Sequence, residues 1–202
     1  MLTDSPVAAL FAGLARARGN VRALHPIGRA YEARLHLGPA APAPLGPGAV
    51  HPAVVRLSRA AGLRPPLPDV HGLAVRFGDQ DLLLSATWAR HVLRPARSIW
   101  SGELSTILPY EHAGRRLVLG ALPDGPGRFL LADAPPLGRW GAPWGELTLG
   151  AALDPATSAA LRFHPWNTAP DLTPVGFVNA LRRPSYAASQ DARSKPRSTS
   201  AR

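Results

Sequence analysis

Cysteine is absent from the 202-residue chain, which excludes disulfide bonds and thiolate metal sites. No apolar run approaches the length of a membrane span. No N-terminal stretch combines a charged region, an apolar run and a small-residue cleavage site. These absences predict a cytoplasmic protein with no membrane partner.

Lysine is nearly absent as well, because Lys195 is the only one, and the net charge of +10 comes from arginine. Such a charge is compatible with nucleic-acid binding. The arginines are scattered, however, and no recognition-helix, zinc-finger or aromatic–basic RNA motif accompanies them. The seven histidines are also dispersed, without His-x-His spacing. We therefore expect no specific nucleic-acid partner, and the pattern disfavours a metal hydrolase.

The length suits one domain with a sizeable core. Residues 1–21 read as a helix, because Asp4 or Ser5 is a suitable N-cap and Pro6 a suitable first residue. Residues 22–193 are assigned to the core, which includes a C-terminal helix. The polar and basic tail 194–202 is predicted to be disordered.

Short strands dominate the middle of the chain. Apolar and polar residues alternate in 31–37, which predicts a strand with one face in water. Further strands are predicted at 54–57, 72–77, 81–84, 116–122, 128–131 and 146–153. Segment 38–52 reads as a loop and 163–174 as an extended crossing segment. The predicted fold is α+β, mainly an antiparallel β-barrel, with flanking N- and C-terminal helices.

Segment 182–193 carries a metal-binding signal. Pro184 suits the first turn of a helix, and Tyr186 shares one face of that helix with Arg193. Arg182 precedes the first turn and can lie beside the Tyr186 hydroxyl, where a guanidinium favours the phenolate. Phenolate is one of the few protein ligands of haem iron. On its own, the pattern is a weak signal, and a basic terminal helix with one packed tyrosine is the more common interpretation.

Four segments, taken in order, resemble the haem-containing catalases. Residues 22–28 match Arg-x-x-His-x-x-Gly, and residues 56–82 resemble the long run Arg-Phe-Ser…Gly…Asp-x-Arg-Gly-Phe-Ala-Val-Lys-Phe…Asp-Leu. Residues 163–174 are similar to the segment that leads to the proximal helix, and residues 182–193 keep the spacing of that helix. Because the chain is much shorter than an ordinary catalase, it most resembles the minimal catalase-related haem proteins. Some of these act as peroxidases or rearrange organic hydroperoxides.

The resemblance implies a catalase-like barrel core that binds haem b. His25 would be the distal base, and Ser58 would hold the tautomer of its ring. Tyr186 would be the axial ligand of the iron, with Arg182 keeping it ionised. The remaining implied cofactor-binding residues, placed at the haem propionates, are Arg22, Arg56 and Arg193.

The sequence also departs from the family pattern. The distal asparagine expected shortly after Asp81-Leu82 is missing, since Ser85-Ala86 stands there. His71 replaces the arginine of Asp-x-Arg-Gly, and the expected phenylalanines are replaced by Thr87, Trp88 and His91. We expect packing roles for Trp88 and His91, although a donor site there stays open. Without the asparagine, disproportionation of peroxide should suffer more than O–O cleavage.

The leading functional prediction is a haem-dependent, peroxidase- or catalase-like oxidoreductase. Its substrate would be hydrogen peroxide or an organic hydroperoxide, such as one derived from a lipid, and an electron donor would be its other partner. The alternative is a catalase-fold module that binds haem or another ligand without catalase activity. The oligomeric state is left open.

Overall fold

The computed structural model describes residues 27–175. Twelve strands occur in this part of the chain: β1 Ile27–Leu37, β2 Ala49–Arg59, β3 Asp69–Phe77, β4 Gln80–Trp88, β5 Val92–Leu93, β6 Pro95–Ala96, β7 Leu104–Ser105, β8 Tyr110–His112, β9 Arg115–Pro123, β10 Arg128–Ala134, β11 Gly145–Ala152 and β12 Thr173–Pro174. One α-helix, α1 Pro155–Ala160, and two 3-10 turns, Ala43–Leu45 and Ile99–Ser101, complete the regular elements described.

Eight of these strands form a closed antiparallel barrel. The hydrogen-bonded order is β10-β11-β1-β2-β3-β4-β7-β9, and pairing of β9 with β10 closes the ring. Because the ring is closed, each of the eight strands has a hydrogen-bonded neighbour on both sides over at least part of its length. The predicted antiparallel barrel is thereby confirmed within residues 27–175, whereas the predicted flanking helices lie outside them.

Side chains of alternate residues fill the barrel interior. In β1, Ala33, Leu35 and Leu37 are buried, while the residues between them face outward and are exposed. The same period of two places apolar side chains of the other strands in one contiguous core. The fully buried large members of this core are Phe129, Leu35, Leu37, Leu73, Leu104, Leu119, Leu131, Leu147, Val55 and Val75.

All seven predicted strands are present, with longer bounds in most cases. The prediction of a loop over 38–52 is wrong at its end, because β2 begins at Ala49. The short helix α1 was not predicted. Asp154 caps it by accepting a hydrogen bond from the Thr157 N–H at 2.9 Å, and Pro155 occupies its first turn.

The segment that follows α1 is attached to the β3–β4 hairpin through Asp81. The buried Asp81 carboxylate accepts two hydrogen bonds from Arg76, both at 2.7 Å, and one from the backbone N–H of His164 at 2.9 Å. Asn167 adds a longer side-chain bond of 3.4 Å, and its carbonyl accepts from the Asp81 N–H. The guanidinium of Arg76 also lies 5.1 Å from the centre of the Phe163 ring. These contacts fix the course of the chain across the outside of the barrel.

Within residues 27–175, no helix has the length and apolarity needed to cross a membrane.

Candidate functional site on the outer face of β1–β4

Strand β2 departs from the alternation expected of a barrel strand. Val55 points into the core and is fully buried, but Arg56 and Ser58 on the opposite face are only 6% and 8% exposed. An arginine is seldom buried to this degree unless its charge has a function or a partner. The outer side of β2 is therefore the first place where a functional site is indicated.

Small residues form a row across this outer side. Gly28 of β1 is opposite Ser58 of β2, Ser58 is opposite Gly72 of β3, and Gly72 is opposite Ser85 of β4. We call these four residues the small-residue face. No large side chain projects from them, so the sheet surface itself is low there; Ser58 and Gly72 are buried, whereas Gly28 is exposed.

The guanidinium of Arg56 lies over the β1 end of this face. A Cβ built on Gly28 would come within 2.6 Å of Cζ and Nη2 of Arg56 and 2.7 Å from the carbonyl oxygen of Leu57. Real Cβ atoms do not approach other heavy atoms so closely. Only glycine therefore fits position 28 without moving the guanidinium, which ties the last residue of the Arg-x-x-His-x-x-Gly motif to Arg56.

The electrostatic setting of Arg56 favours an anion. Burial, and then the positive charge of Arg162, lower the pKa of the Arg56 guanidinium. Arg162 follows α1 and donates a hydrogen bond to the carbonyl of Leu161 at 2.9 Å. Helix α1 itself is held against β1 because the Ser158 hydroxyl accepts a bond from the Ala30 N–H at 2.9 Å. A carboxylate or phosphate beside Arg56 would offset both unfavourable effects.

Ser58 has a defined hydrogen-bonding role. Its hydroxyl donates to the carbonyl oxygen of Gly72 at 3.3 Å. A hydroxyl has a single proton to donate, so toward any other group in this position Ser58 acts as an acceptor. The hydroxyl can thus receive an N–H from a neighbouring ring or amide.

Of the predicted site residues, the structure brings together Arg56 and Ser58, two residues apart on one strand face. The other five lie outside the described residues: Arg22, His25, Arg182, Tyr186 and Arg193. Sequence reasoning missed Arg162 and the fit of Gly28 under Arg56, since the first depends on the course of the chain after α1 and the second on the β1–β2 register.

The other two tyrosines of the chain lie within the described residues. Tyr110 is buried in the core, and desolvation by burial raises the pKa of its phenol well above the ordinary value. Burial therefore disfavours the phenolate form of Tyr110. Tyr31 lies on β1, half-buried, with the Arg29 guanidinium 5.9 Å from its ring centre.

The positions that depart from the family pattern have separate environments. Ser85 belongs to the small-residue face, whereas Ala86 points into the core and is 1% exposed. His71 is buried with Nε2 3.0 Å from the Ala96 carbonyl, and burial is the main cause of its lowered pKa. Thr87 is also buried and donates a hydrogen bond to Ser105 at 3.2 Å. The packing role expected for Trp88 is wrong, because this side chain is exposed.

Among residues 27–175, no three His, Asp or Glu side chains are grouped so that they could hold a metal ion. Comparison of the sequence with protein-family models gives no match, and comparison with the curated proteins gives none either. The family resemblance therefore stays a prediction that depends on the four sequence segments.

Proposed function

We propose that this chain is a small catalase-like haem protein that cleaves or reduces peroxides at a tyrosinate-ligated iron. The observation that carries the proposal is the burial of Arg56 and Ser58 on one face of β2, directly opposite Gly28 and Ala30 of β1. The resemblance to the catalases assigns both side chains to a haem site without using the pairing of the barrel strands. Their shared face and unusual burial support that assignment.

The described residues fit one side of a haem group. The small-residue face offers a low surface to a flat macrocycle, and the guanidinium of Arg56 lies at its border. A propionate there would accept hydrogen bonds from the guanidinium, whose pKa is lowered by burial and by Arg162. When bound, the haem iron supplies the redox chemistry that breaks the O–O bond. Arg22 and Arg193 would complete the propionate contacts, as the resemblance implies.

His25 is the proposed base on this side. Three residues of chain span at most about 11 Å, so connectivity limits its separation from Gly28 to that distance. Because Ser58 uses its proton on Gly72, it would accept the N–H of one His25 ring nitrogen. The other nitrogen is then unprotonated and can take a proton from the peroxide and return it to the departing oxygen.

Tyr186 is the proposed iron ligand, with Arg182 stabilising its phenolate. Of the two other tyrosines, Tyr110 is packed in the barrel core, where burial disfavours its phenolate. Tyr31 provides a natural comparison, because it too has an arginine close to its ring.

A second candidate function keeps the haem and omits the chemistry. It is favoured by Ser85 and Ala86, which provide a short hydroxyl and a core methyl where a distal amide is expected. A carrier of this kind would bind haem and leave peroxide intact.

The test is to load purified protein with haem and to follow donor oxidation and oxygen release after peroxide is added. We expect donor oxidation to exceed oxygen release, and His25→Ala to reduce the rate of reaction with peroxide by about 100-fold or more while haem stays bound. His36→Ala, an exposed histidine of β1, is the matched control and should react normally. Bound haem without any reaction would favour the carrier, and a protein that binds no haem would contradict both candidates.

A further inference from the structure

The hairpin β4–β5 exposes apolar side chains at its tip. Trp88 and Val92 are paired across the two strands and are 58% and 57% exposed. Leu137, in the loop between β10 and β11, is 94% exposed, which leaves its side chain almost wholly in water. Exposure of most of a leucine and more than half of a tryptophan is unfavourable unless another surface covers them.

The tip is held firmly to the barrel and to the loop that carries Leu137. Ala89 and Arg90 both have positive φ angles, 45° and 70°, which L residues rarely adopt. The Arg90 N–H donates to Glu103 at 3.0 Å, which stabilises this turn. The two ring nitrogens of His91 lie 2.6 Å from the carbonyl oxygens of Ile107 and Pro136 respectively.

Because Pro136 directly precedes Leu137, the His91 contact joins the hairpin tip to the second apolar site. We call Trp88, Val92 and Leu137 the apolar tip. Trp88 and Val92 flank a turn whose backbone is fixed by several contacts, and His91 ties that turn to the loop of Leu137, so little ordering remains to occur on binding.

The surroundings of the apolar tip are basic. Segments 88–97 and 133–140 contain four arginines, and two acids lie among them: Glu103, which accepts from the Arg90 N–H and the Trp140 indole, and Asp133. Asp133 already accepts a hydrogen bond from the Trp144 indole at 2.9 Å. The arginines are Arg90, Arg94, Arg97 and Arg139, of which the last two are exposed.

We propose that the apolar tip and its arginines bind the surface of a lipid bilayer that contains anionic lipids. Tryptophan is favoured at the bilayer interface, leucine and valine reach the acyl chains, and arginine is attracted to anionic headgroups. A second copy of the chain would bring like charges together. A single-stranded nucleic acid would stack on Trp88 but gain little from Leu137.

The sequence predicts no membrane partner because it has no spanning segment. Surface binding needs no such segment, and the exposure that supports it is visible only in the folded chain. The inference is independent of the proposed haem chemistry.

The test is flotation of the full chain with phosphatidylcholine vesicles, with and without phosphatidylglycerol. We expect binding only when the anionic lipid is present. The double variant Val92→Ser/Leu137→Ser should weaken binding by about tenfold or more, because both apolar side chains lose their transfer free energy. Val50→Ser is the matched control, since Val50 is 63% exposed on β2, and it should bind like the parent.

Trp88 supplies a second readout. Its emission should shift to the blue with anionic vesicles, and Trp88→Phe should lose that shift while the chain still floats. The proposal would be overturned if the chain did not bind vesicles, or if Val50→Ser weakened vesicle binding as much as the double variant does. Binding of a single-stranded oligonucleotide that depends on Trp88 but not on Leu137, without vesicle binding, would assign the surface to nucleic acid instead.

Discussion

The guanidinium of Arg56 occupies the space where a side chain at position 28 would begin. A Cβ on Gly28 would be 2.6 Å from the Arg56 Cζ and 2.7 Å from the backbone oxygen of Leu57. The guanidinium can swing away, but the backbone of a central barrel strand cannot shift without disturbing its ladder. The first two strands of the barrel are thus adapted to each other at the candidate site.

Gly28→Ala should therefore lower the free energy of unfolding by about 1–3 kcal/mol, as expected for overpacking. It should also weaken haem binding, because Arg56 is displaced. Urea unfolding and haem titration measure the two effects.

Gly150→Ala is the matched control on β11. A Cβ there would be 3.4 Å from its nearest neighbour, the Glu32 carbonyl oxygen, which is an ordinary contact. Equal stability and equal haem affinity of the two variants would contradict the account of Gly28.

Asp81 should be the main attachment of the chain that crosses the barrel after α1. Asp81→Ala removes a buried carboxylate that receives two bonds from Arg76 and one from the His164 backbone. We expect the free energy of unfolding to fall by about 1–3 kcal/mol, since the His164 N–H and the Arg76 guanidinium lose their acceptor, and Arg76, whose side chain is 34% exposed, is partly solvated afterwards.

The control is Asp124→Ala. Asp124 and Arg128 form a pair at 3.2 Å in which both side chains are 46% exposed, so the loss should stay below about 0.5 kcal/mol. If the two substitutions cost the same in urea unfolding, Asp81 does not have the anchoring role assigned to it.

Asp69 makes stability depend on pH. Burial of the Asp69 carboxylate opposes its ionisation. This effect is outweighed by the charge of Arg59 and by hydrogen bonds from three backbone N–H groups, those of Ala61, Leu63 and Val70. The pKa of Asp69 is therefore lowered. A lowered pKa in the folded state stabilises the protein above the unfolded value of about 3.9. That stabilisation is lost as the pH falls through the lower, folded value.

Asp69→Asn should cost about 1–3 kcal/mol at neutral pH, and the difference from the parent should shrink as the pH falls below about 4. Urea unfolding at several pH values measures this. Asp79→Asn, an exposed carboxylate at the β3–β4 turn, should differ little from the parent at any pH. A difference for Asp69→Asn that is constant down to strongly acidic pH would contradict the assignment.

The long barrel strands were predictable because each buries one face. In β1 the apolar residues Ala33, Leu35 and Leu37 alternate with polar ones, and this period survives in the folded chain. The strands β5, β6 and β7 have two residues each, which is too short for any periodic pattern. The region from 88 to 108 therefore could not be assigned from sequence.

The candidate site was only half predictable. Similarity of short motifs pointed to Arg56 and Ser58, but alternation alone would place both in water. Their burial, and the row they share with Gly28 and Gly72, follow from strand register, which connects residues far apart in the chain. The exposure of Trp88 has the same origin, since a tryptophan at the end of a buried strand gives no sign that it lies at the tip of a hairpin.

The central claim is that this chain binds haem through Tyr186, and the absorption spectrum of protein loaded with ferric haem tests it most directly. We predict a high-spin, tyrosinate-type spectrum that is lost in Tyr186→Phe and unchanged in Tyr31→Phe, the tyrosine that also has an arginine near its ring. A colourless preparation, or an identical haem spectrum in Tyr186→Phe, would contradict the claim.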